Sequence, residues 1–178
     1  KPKGVEVPHI GVCNLAYGEV DFLDMKPGSR VLQFASFSFD TSIWEIVMTL
    51  CSGGVLVMAD KLAILPGPDL ANTLLEQRIS HVTLPASSLA ALPYQEYPDL
   101  SVLITAGEAC AVDLLELWGK GRRFVNSYGP TEASVSASNA ELQWDGGVVH
   151  IGRPLPNVQT WILDSAQKLR PIGLPGEL

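Results

Sequence analysis

Short apolar runs and amphipathic stretches alternate along most of this chain. Apolar runs typical of strands occupy residues 30–39, 55–58, 81–84, 102–105 and 123–125. Apolar residues at helical spacing predict helices over 11–23, 41–50, 69–78, 87–92 and 111–119. From residue 30 to 126 the order is therefore strand, helix, strand, helix. This order predicts an α/β fold with a mostly parallel sheet flanked by helices.

The pattern changes after residue 131. Shorter strand-like segments at 135–142, 159–163 and 168–171 are separated by glycine- and proline-containing turns. They predict a smaller antiparallel β portion at the C-terminal end. Another short strand is predicted at 5–7, and the wholly apolar run at 55–58 predicts a strand buried on both faces.

One acid lies beside these apolar runs, at the start of the helix predicted over 41–50. Asp40 directly follows the strand-like run, and burying a carboxylate there is costly unless it meets a cation or hydrogen-bond donors. It either caps the helix or faces the positive group of a ligand. Ser42 and Glu45 have the spacing of a capping box, which would already satisfy the first turn. That spacing favours the second interpretation, in which Asp40 faces the positive group of a ligand.

Composition narrows the class of protein. The 178 residues suffice for one core, and 47% hydrophobic with 17% charged residues is apolar for a free-standing domain. Either further protein covers its surface or the sheet is deeply buried. The net charge of −7, with scattered lysines and arginines, argues against nucleic acid or an anionic membrane as partner. No apolar run is long enough to span a bilayer.

The cysteines and histidines give no sign of a metal site. Cys13, Cys51 and Cys110 are far apart without CxxC spacing, and the three histidines are equally dispersed. Three reduced cysteines are typical of a cytoplasmic protein, which is the location we predict.

Candidate chemistry is concentrated at residues 126–132, NSYGPTE, directly after a predicted strand. Open α/β sheets bind ligands where a strand ends in a polar turn. Tyr128 offers a flat face, and Thr131 and Glu132 offer oxygens of the kind that bind Mg²⁺, which usually accompanies phosphates. The alternative interpretation is a tight turn capped by Thr131.

This heptapeptide resembles the nucleotide-binding motif of the adenylate-forming superfamily, most closely that of nonribosomal peptide synthetase adenylation domains. Three other stretches resemble family motifs in the right order: 1–4 (KPKG) the tail of its phosphate loop, 39–42 (FDTS) its FDxS motif, and 176–178 (GEL) the opening of its next motif. The resemblance covers residues 1–178 and implies part of the large N-terminal subdomain. We expect an excised piece, inactive alone, without the phosphate loop and the small C-terminal subdomain.

The resemblance implies that the parent activates a carboxylate with ATP and Mg²⁺, then loads it onto the phosphopantetheine thiol of a peptidyl carrier protein. Thr131 and Glu132 take the catalytic positions, with Thr131 on a phosphate and Glu132 on the metal. The family's nucleotide positions fall on Gly107, Glu108, Ala109, Asn126, Tyr128, Gly129 and Thr131. For Glu108, a solvated acid at a helix start is the alternative.

The family's substrate pocket implies an amino acid. Its positions fall on Asp40, Thr41, Trp44, Thr83, Ile104, Ala106, Ser127, Val135 and Ser136. Asp40 would bind the ammonium group, and the uncharged remainder suits a large neutral, phenylalanine-like side chain. The hydroxyls of Thr41, Ser127 and Ser136 leave tyrosine, a homologue or tryptophan open. A carboxylate–CoA ligase and a catalytically silent binding module are the alternative functions.

Overall fold

A seven-stranded sheet forms the centre of the computed structural model, which describes residues 4–144 and 146–178. Its strands are β1 (Arg30–Leu32), β2 (Val55–Val57), β3 (His81–Leu84), β4 (Val102–Ala106), β5 (Arg123–Tyr128), β6 (Ser138–Leu142) and β7 (Arg153–Pro154). Their spatial order is β2-β1-β3-β4-β5-β6-β7. The pairs among β1 to β5 are parallel, whereas β6 and β7 join antiparallel. The predicted α/β class, with its antiparallel C-terminal portion, is confirmed.

Helices cover both faces of the sheet. They are α1 (His9–Phe22), α2 (Thr41–Cys51), α3 (Pro68–Glu76), α4 (Ala86–Ala91) and α5 (Val112–Trp118), with a 3₁₀ turn at Thr131–Ala133. On one face, α1 and α2 contribute Leu15, Trp44 and Met48 to a buried cluster that includes Ile104 of β4. On the other face, helices α3 to α5 pack against residues such as Leu103. Neighbouring residues of one strand thus serve separate cores.

One predicted strand is absent, one is shorter than predicted, and one is wrong in burial. Residues 5–7 form no strand, and the strand predicted over 30–39 ends at Leu32. After it the chain turns, as the Phe39 N–H donates to the Ser36 carbonyl at 2.8 Å. The run at 55–58 forms an edge strand, so Val55 remains 42% exposed and the prediction of burial on both faces is wrong.

The C-terminal predictions hold only in part. The strand predicted from residue 135 begins at Ser138, because Ser134 and Val135 have φ values of 62° and 74°, which a strand does not allow. Segments 159–163 and 168–171 are reduced to isolated bridges that pair Leu163 with Leu169 and Glu177. Of the loop predicted at 1–4, residues 1–3 lie outside the described residues.

Two further features of the fold are its membrane-spanning potential and its cysteines. Across residues 4–144 and 146–178, no helix is both long and apolar enough to cross a membrane. All three cysteines are free.

Candidate active site

The carboxyl ends of β3, β4 and β5 lie side by side. Leu84, Thr105 and Asn126 occupy one row across the three strands. Because the strands are parallel, the segments that follow meet at one edge of the sheet, where open α/β sheets bind ligands. A cavity of about 330 Å³ lies there. Its lining is Phe34, Ala35, Ser36, Phe39, Thr41, Thr83, Pro85, Ala106, Gly107 and Glu108.

The structure therefore brings part of the predicted site together. Thr41, Thr83 and Ala106 of the predicted substrate set line this cavity beside Gly107 and Glu108 of the predicted nucleotide set. Residues of the 126–132 motif follow on the neighbouring strand and do not border this cavity, and neither does Ala109.

Asp40 immediately precedes α2 and is half-buried. Its backbone has helical dihedrals, φ −64° and ψ −26°, and its side chain makes no capping hydrogen bond. The interpretation of Asp40 as a helix cap is therefore wrong. Its two sequence neighbours, Phe39 and Thr41, both line the cavity. Asp40 is thus a half-buried acid between two residues that line the cavity, and its side chain has no capping role at the start of α2.

The predicted capping box is also wrong. Helix α2 begins at Thr41, so Ser42 lies inside the first turn, where its hydroxyl donates to the Phe39 carbonyl at 2.7 Å. Glu45 faces the loop instead: its carboxylate accepts from the Ala35 N–H at 3.1 Å and from the Gln33 amide at 3.2 Å. Burial raises the pKa of Glu45 to about 7, although these hydrogen bonds oppose the increase. Glu45 thus fixes the loop that lines the cavity.

Trp44, Thr83 and Ile104 are almost fully buried on the face of the sheet that α1 and α2 cover. Ala106 and Val135 pack against the same cluster. Two polar atoms in this region, Trp44 Nε1 and Thr83 Oγ1, are buried without a hydrogen-bond partner among the described residues. Buried polar atoms are normally paired, so these two are exceptions, and of the two residues only Thr83 lines the cavity.

Ser127 and Ser136 form the polar side of the predicted pocket. Their hydroxyls lie 2.9 Å apart, and both residues are buried. Ser136 also donates to Asn139, which in turn donates to Glu19 of α1. The site residues predicted from the sequence did not include Glu19, Asn139 or Glu45. The sequence signal that could have identified Glu19 is its position one helical turn after Leu15, on the apolar side of α1.

The predicted nucleotide positions Asn126, Tyr128 and Gly129 lie on β5 and in the turn after it. Tyr128, at the strand end, is 43% exposed, so one side of its ring is free to stack. Asn126 is buried, and its amide N–H₂ donates to the His150 carbonyl at 2.9 Å, which leaves its oxygen as an acceptor. At Gly129, a β-carbon would lie 2.6 Å from the Ala137 nitrogen. Only glycine fits this close crossing of two backbone segments.

The motif ends in the 3₁₀ turn Thr131–Ala133, which presents a half-buried hydroxyl at Thr131 and an exposed carboxylate at Glu132. Beyond it, Val135 has a φ of 74°, an uncommon conformation for a β-branched residue that is often found at functional sites. No cluster of three potential metal ligands occurs within residues 4–144 and 146–178. The single carboxylate of Glu132, next to the predicted phosphate-binding Thr131, nevertheless fits Mg²⁺, which usually binds one or two carboxylates plus phosphates.

The loop after β4 holds the other predicted nucleotide residues. Gly107 has a φ of 79°, which strains any residue with a β-carbon, and Ala109 is exposed. Glu108 is exposed, and its two oxygens accept from the Ser87 N–H at 2.8 Å and hydroxyl at 3.0 Å. That carboxylate ties the loop to α4, so its backbone is the part left for a nucleotide.

A family model described as AMP-binding enzyme matches residues 1–178. The chain belongs to the AMP-binding enzyme family. A linear gramicidin synthase of Brevibacillus parabrevis is 48% identical over 177 residues, which are 99% of this chain and 4% of that protein. The resemblance to nonribosomal peptide synthetase adenylation domains is thereby confirmed, and the chain spans only a small part of this relative.

Solved structures agree. Holo-AB3403, a four-domain nonribosomal peptide synthetase bound to AMP and glycine, matches with a TM-score of 0.86 and 30% identity, over 95% of this chain and 13% of that one. The Vibrio cholerae adenylation domain AlmE, in complex with glycyl-adenosine-5'-phosphate, shares the fold at a TM-score of 0.86 and 23% identity, over 95% of this chain and 34% of that one.

Proposed function

We propose that the intact parent of this chain activates an amino acid with ATP, forming an aminoacyl-adenylate and pyrophosphate. It then passes the aminoacyl group to the phosphopantetheine thiol of a peptidyl carrier protein during nonribosomal peptide synthesis. The proposal concerns the whole adenylation domain, of which these residues form part of the large subdomain. The 178 residues alone are expected to be inactive.

The observation that carries the proposal is Asp40. Asp40 is half-buried, its side chain does not cap α2, and its sequence neighbours Phe39 and Thr41 both line the 330 Å³ cavity. Such a group is stabilised by a cation, and an α-amino acid supplies an ammonium group where a fatty or aryl acid supplies none. Asp40 therefore favours amino acids over the substrates of carboxylate–CoA ligases.

The polar motif of residues 126–132 supplies the nucleotide side. Tyr128 stacks on adenine, and the free oxygen of Asn126 accepts from the adenine amine. The Gly107 backbone lies on the opposite side, with Glu108, Ala109 and Gly129 completing the lining. Support for this arrangement comes from the exposed ring of Tyr128 and from the Asn126 N–H₂, which is already bonded to a carbonyl.

The reaction needs placement and charge neutralisation more than a protein nucleophile. A carboxylate oxygen of the amino acid bonds to the α-phosphorus, and the bond to the bridging oxygen of pyrophosphate breaks. Thr131 donates a hydrogen bond to a phosphate oxygen, and Glu132 holds Mg²⁺, which neutralises phosphate charge when bound.

The side-chain pocket suits a large neutral group. Trp44 and Ile104 give apolar walls, Ala106 leaves space, and Thr41, Thr83, Ser127, Val135 and Ser136 complete the set without a charge. A charged substrate side chain would find no counter-ion among these positions, whereas an aromatic ring packs well against Trp44.

ATP–pyrophosphate exchange by the intact adenylation domain tests this proposal, with amino acids, aryl acids and fatty acids as separate panels. Exchange with large neutral amino acids is the expected result. Exchange with aryl or fatty acids alone would establish a carboxylate–CoA ligase instead. An unchanged activity after Thr131→Ala and Glu132→Gln would contradict the assigned roles of this motif.

A further inference from the structure

Four buried side chains form a continuous line of hydrogen bonds on the α1 side of the sheet. Glu19 Oε2 lies 2.9 Å from Asn139 Nδ2, and Asn139 Oδ1 lies 3.3 Å from Ser136 Oγ. Ser136 Oγ lies 2.9 Å from Ser127 Oγ. Ser127 and Asn139 are paired residues of β5 and β6, so their side chains share one face. We call these residues the Glu19–Ser127 chain.

The chemistry of the Glu19 carboxylate fixes the direction of every bond. A carboxylate only accepts, so Asn139 turns its N–H₂ toward Glu19 and its oxygen toward Ser136. Ser136 must then donate its single proton to Asn139 or to Glu19 itself, and in either case it can only accept from Ser127. Ser127 therefore donates to Ser136, and what remains on its oxygen is lone-pair density. The chain ends in a hydrogen-bond acceptor.

Ser127, which carries this acceptor, occupies a predicted pocket position close to the 330 Å³ cavity but not on its lining. Ser127 pairs with Ala106, which lines the 330 Å³ cavity, and the two share one face of the sheet. Ser136 borders a second cavity, of about 620 Å³, between α1 and the 133–136 segment. Ser136 thus borders open space, and Ser127 lies one hydrogen bond behind it.

Glu19 has no evident structural reason to be charged. It is fully buried, and its second oxygen, Oε1, has no hydrogen-bond partner among the described residues. Burial raises its pKa to about 7, so above that pH the carboxylate form predominates. A buried acid with one unsatisfied oxygen is costly, which favours a role for it in the site.

We propose that Glu19 is a specificity-determining residue: through Asn139 and Ser136 it makes Ser127 a hydrogen-bond acceptor, so that the pocket selects amino acids whose ring carries a hydrogen-bond donor. A phenol O–H or an indole N–H meets this requirement, and a phenyl ring does not. The inference rests on the proposed function, since it concerns the substrate of the same site.

The test uses near-isosteric substrates that differ only in the donor. The intact adenylation domain is assayed by pyrophosphate exchange at a pH above that pKa, with tyrosine against 4-fluorophenylalanine and tryptophan against 3-benzothienylalanine. For the better-used pair, we expect kcat/KM to favour the donor-bearing member by about tenfold. Glu19→Gln should bring this ratio close to one, because a glutamine amide can donate or accept and no longer fixes the direction of the chain.

Two further variants keep the result interpretable. Asn139→Ala breaks the chain at its second member and should also lower the ratio, which covers the case that Glu19→Gln fails to fold. Glu45→Gln alters another buried carboxyl on the same side of the sheet. It should raise KM for all amino acids alike and leave the ratio unchanged.

Different failures have different meanings. A ratio that stays the same in Glu19→Gln and Asn139→Ala overturns the role of the chain. Equal use of phenylalanine or 4-fluorophenylalanine by the unmodified domain, or use of aliphatic amino acids only, overturns the inference and leaves amino-acid activation intact. Exchange only with carboxylates that lack an amine overturns the proposed function itself.

Discussion

Glu45 should make the stability of this fold depend on pH. The residue is fully buried, and its pKa is raised from 4.5 to about 7 because burial disfavours the ionised form more than its hydrogen bonds to Ala35 and Gln33 favour it. In the unfolded chain the same carboxyl regains its ordinary pKa. Between about pH 4.5 and pH 7 the Glu45 site therefore holds up to one more proton in the folded protein than in the unfolded chain.

This difference in bound protons sets the sign and size of the pH dependence of the free energy of unfolding. Extra protons on the folded state mean that the free energy of unfolding falls as pH rises. The contribution of Glu45 is fully present below about pH 4.5 and lost as pH rises through about 7. The span between the two pKa values corresponds to roughly 3 kcal/mol.

Urea unfolding of the intact adenylation domain and its Glu45→Gln variant, across this pH range, measures the effect. Glutamine does not titrate, so the difference in unfolding free energy between the two proteins isolates Glu45 from other groups. Glu116→Gln, which removes an exposed carboxylate of α5, controls for the loss of a charge. A difference for Glu45→Gln that is independent of pH, or that grows in favour of the unmodified protein as pH rises, would refute the reasoning. It would mean that hydrogen bonds to the ionised carboxylate outweigh its desolvation.

Three other changes give sharp expectations. Tyr128→Ala should raise KM for ATP about tenfold or more because base stacking is lost, whereas Tyr128→Phe keeps the ring and should leave KM unchanged. Initial rates at varied ATP concentration measure both values. Glu132→Gln should lower kcat/KM for ATP, with partial recovery at high Mg²⁺ concentration, and no such recovery would separate Glu132 from the metal. Gly129→Ala should destabilise the domain by about 2 kcal/mol or more in thermal melts, because its β-carbon would meet the backbone of Ala137 and Val135 at 2.6 Å. An unchanged melting temperature would show that the turn relaxes freely.

The parts of the site that depend on the order of strands and helices along the chain could be predicted from the sequence. Alternating strands and helices predict a parallel sheet, and a parallel sheet places the ends of β3, β4 and β5 at one edge. This is why Thr83, Ala106 and Ser127 lie near one another although they are distant in sequence. Element types were correct for the five helices and for the strands that begin at residues 81, 102 and 123.

What the sequence concealed depends on contacts between distant segments. Whether β2 is an edge strand is set by its neighbours in the sheet, so the apolar run at 55–58 gave the wrong burial. Residues 33–39 alternate like a strand, but Glu45 accepts from the Ala35 N–H and helps to hold the chain in a loop. The hydrogen bond between Glu19 and Asn139 joins residues 120 positions apart, so no local sequence pattern predicts it.

The central claim is that Asp40 binds the ammonium group of the substrate, and one comparison tests it most directly. Phenylalanine and 3-phenylpropanoate differ only in the amine, and both can be offered to the intact domain and to its Asp40→Ala variant in pyrophosphate exchange. The unmodified domain should favour phenylalanine by about a hundredfold or more, and the variant should lose most of that preference. If Asp40→Ala retains the full preference for phenylalanine, the amine is recognised elsewhere and the central claim is wrong.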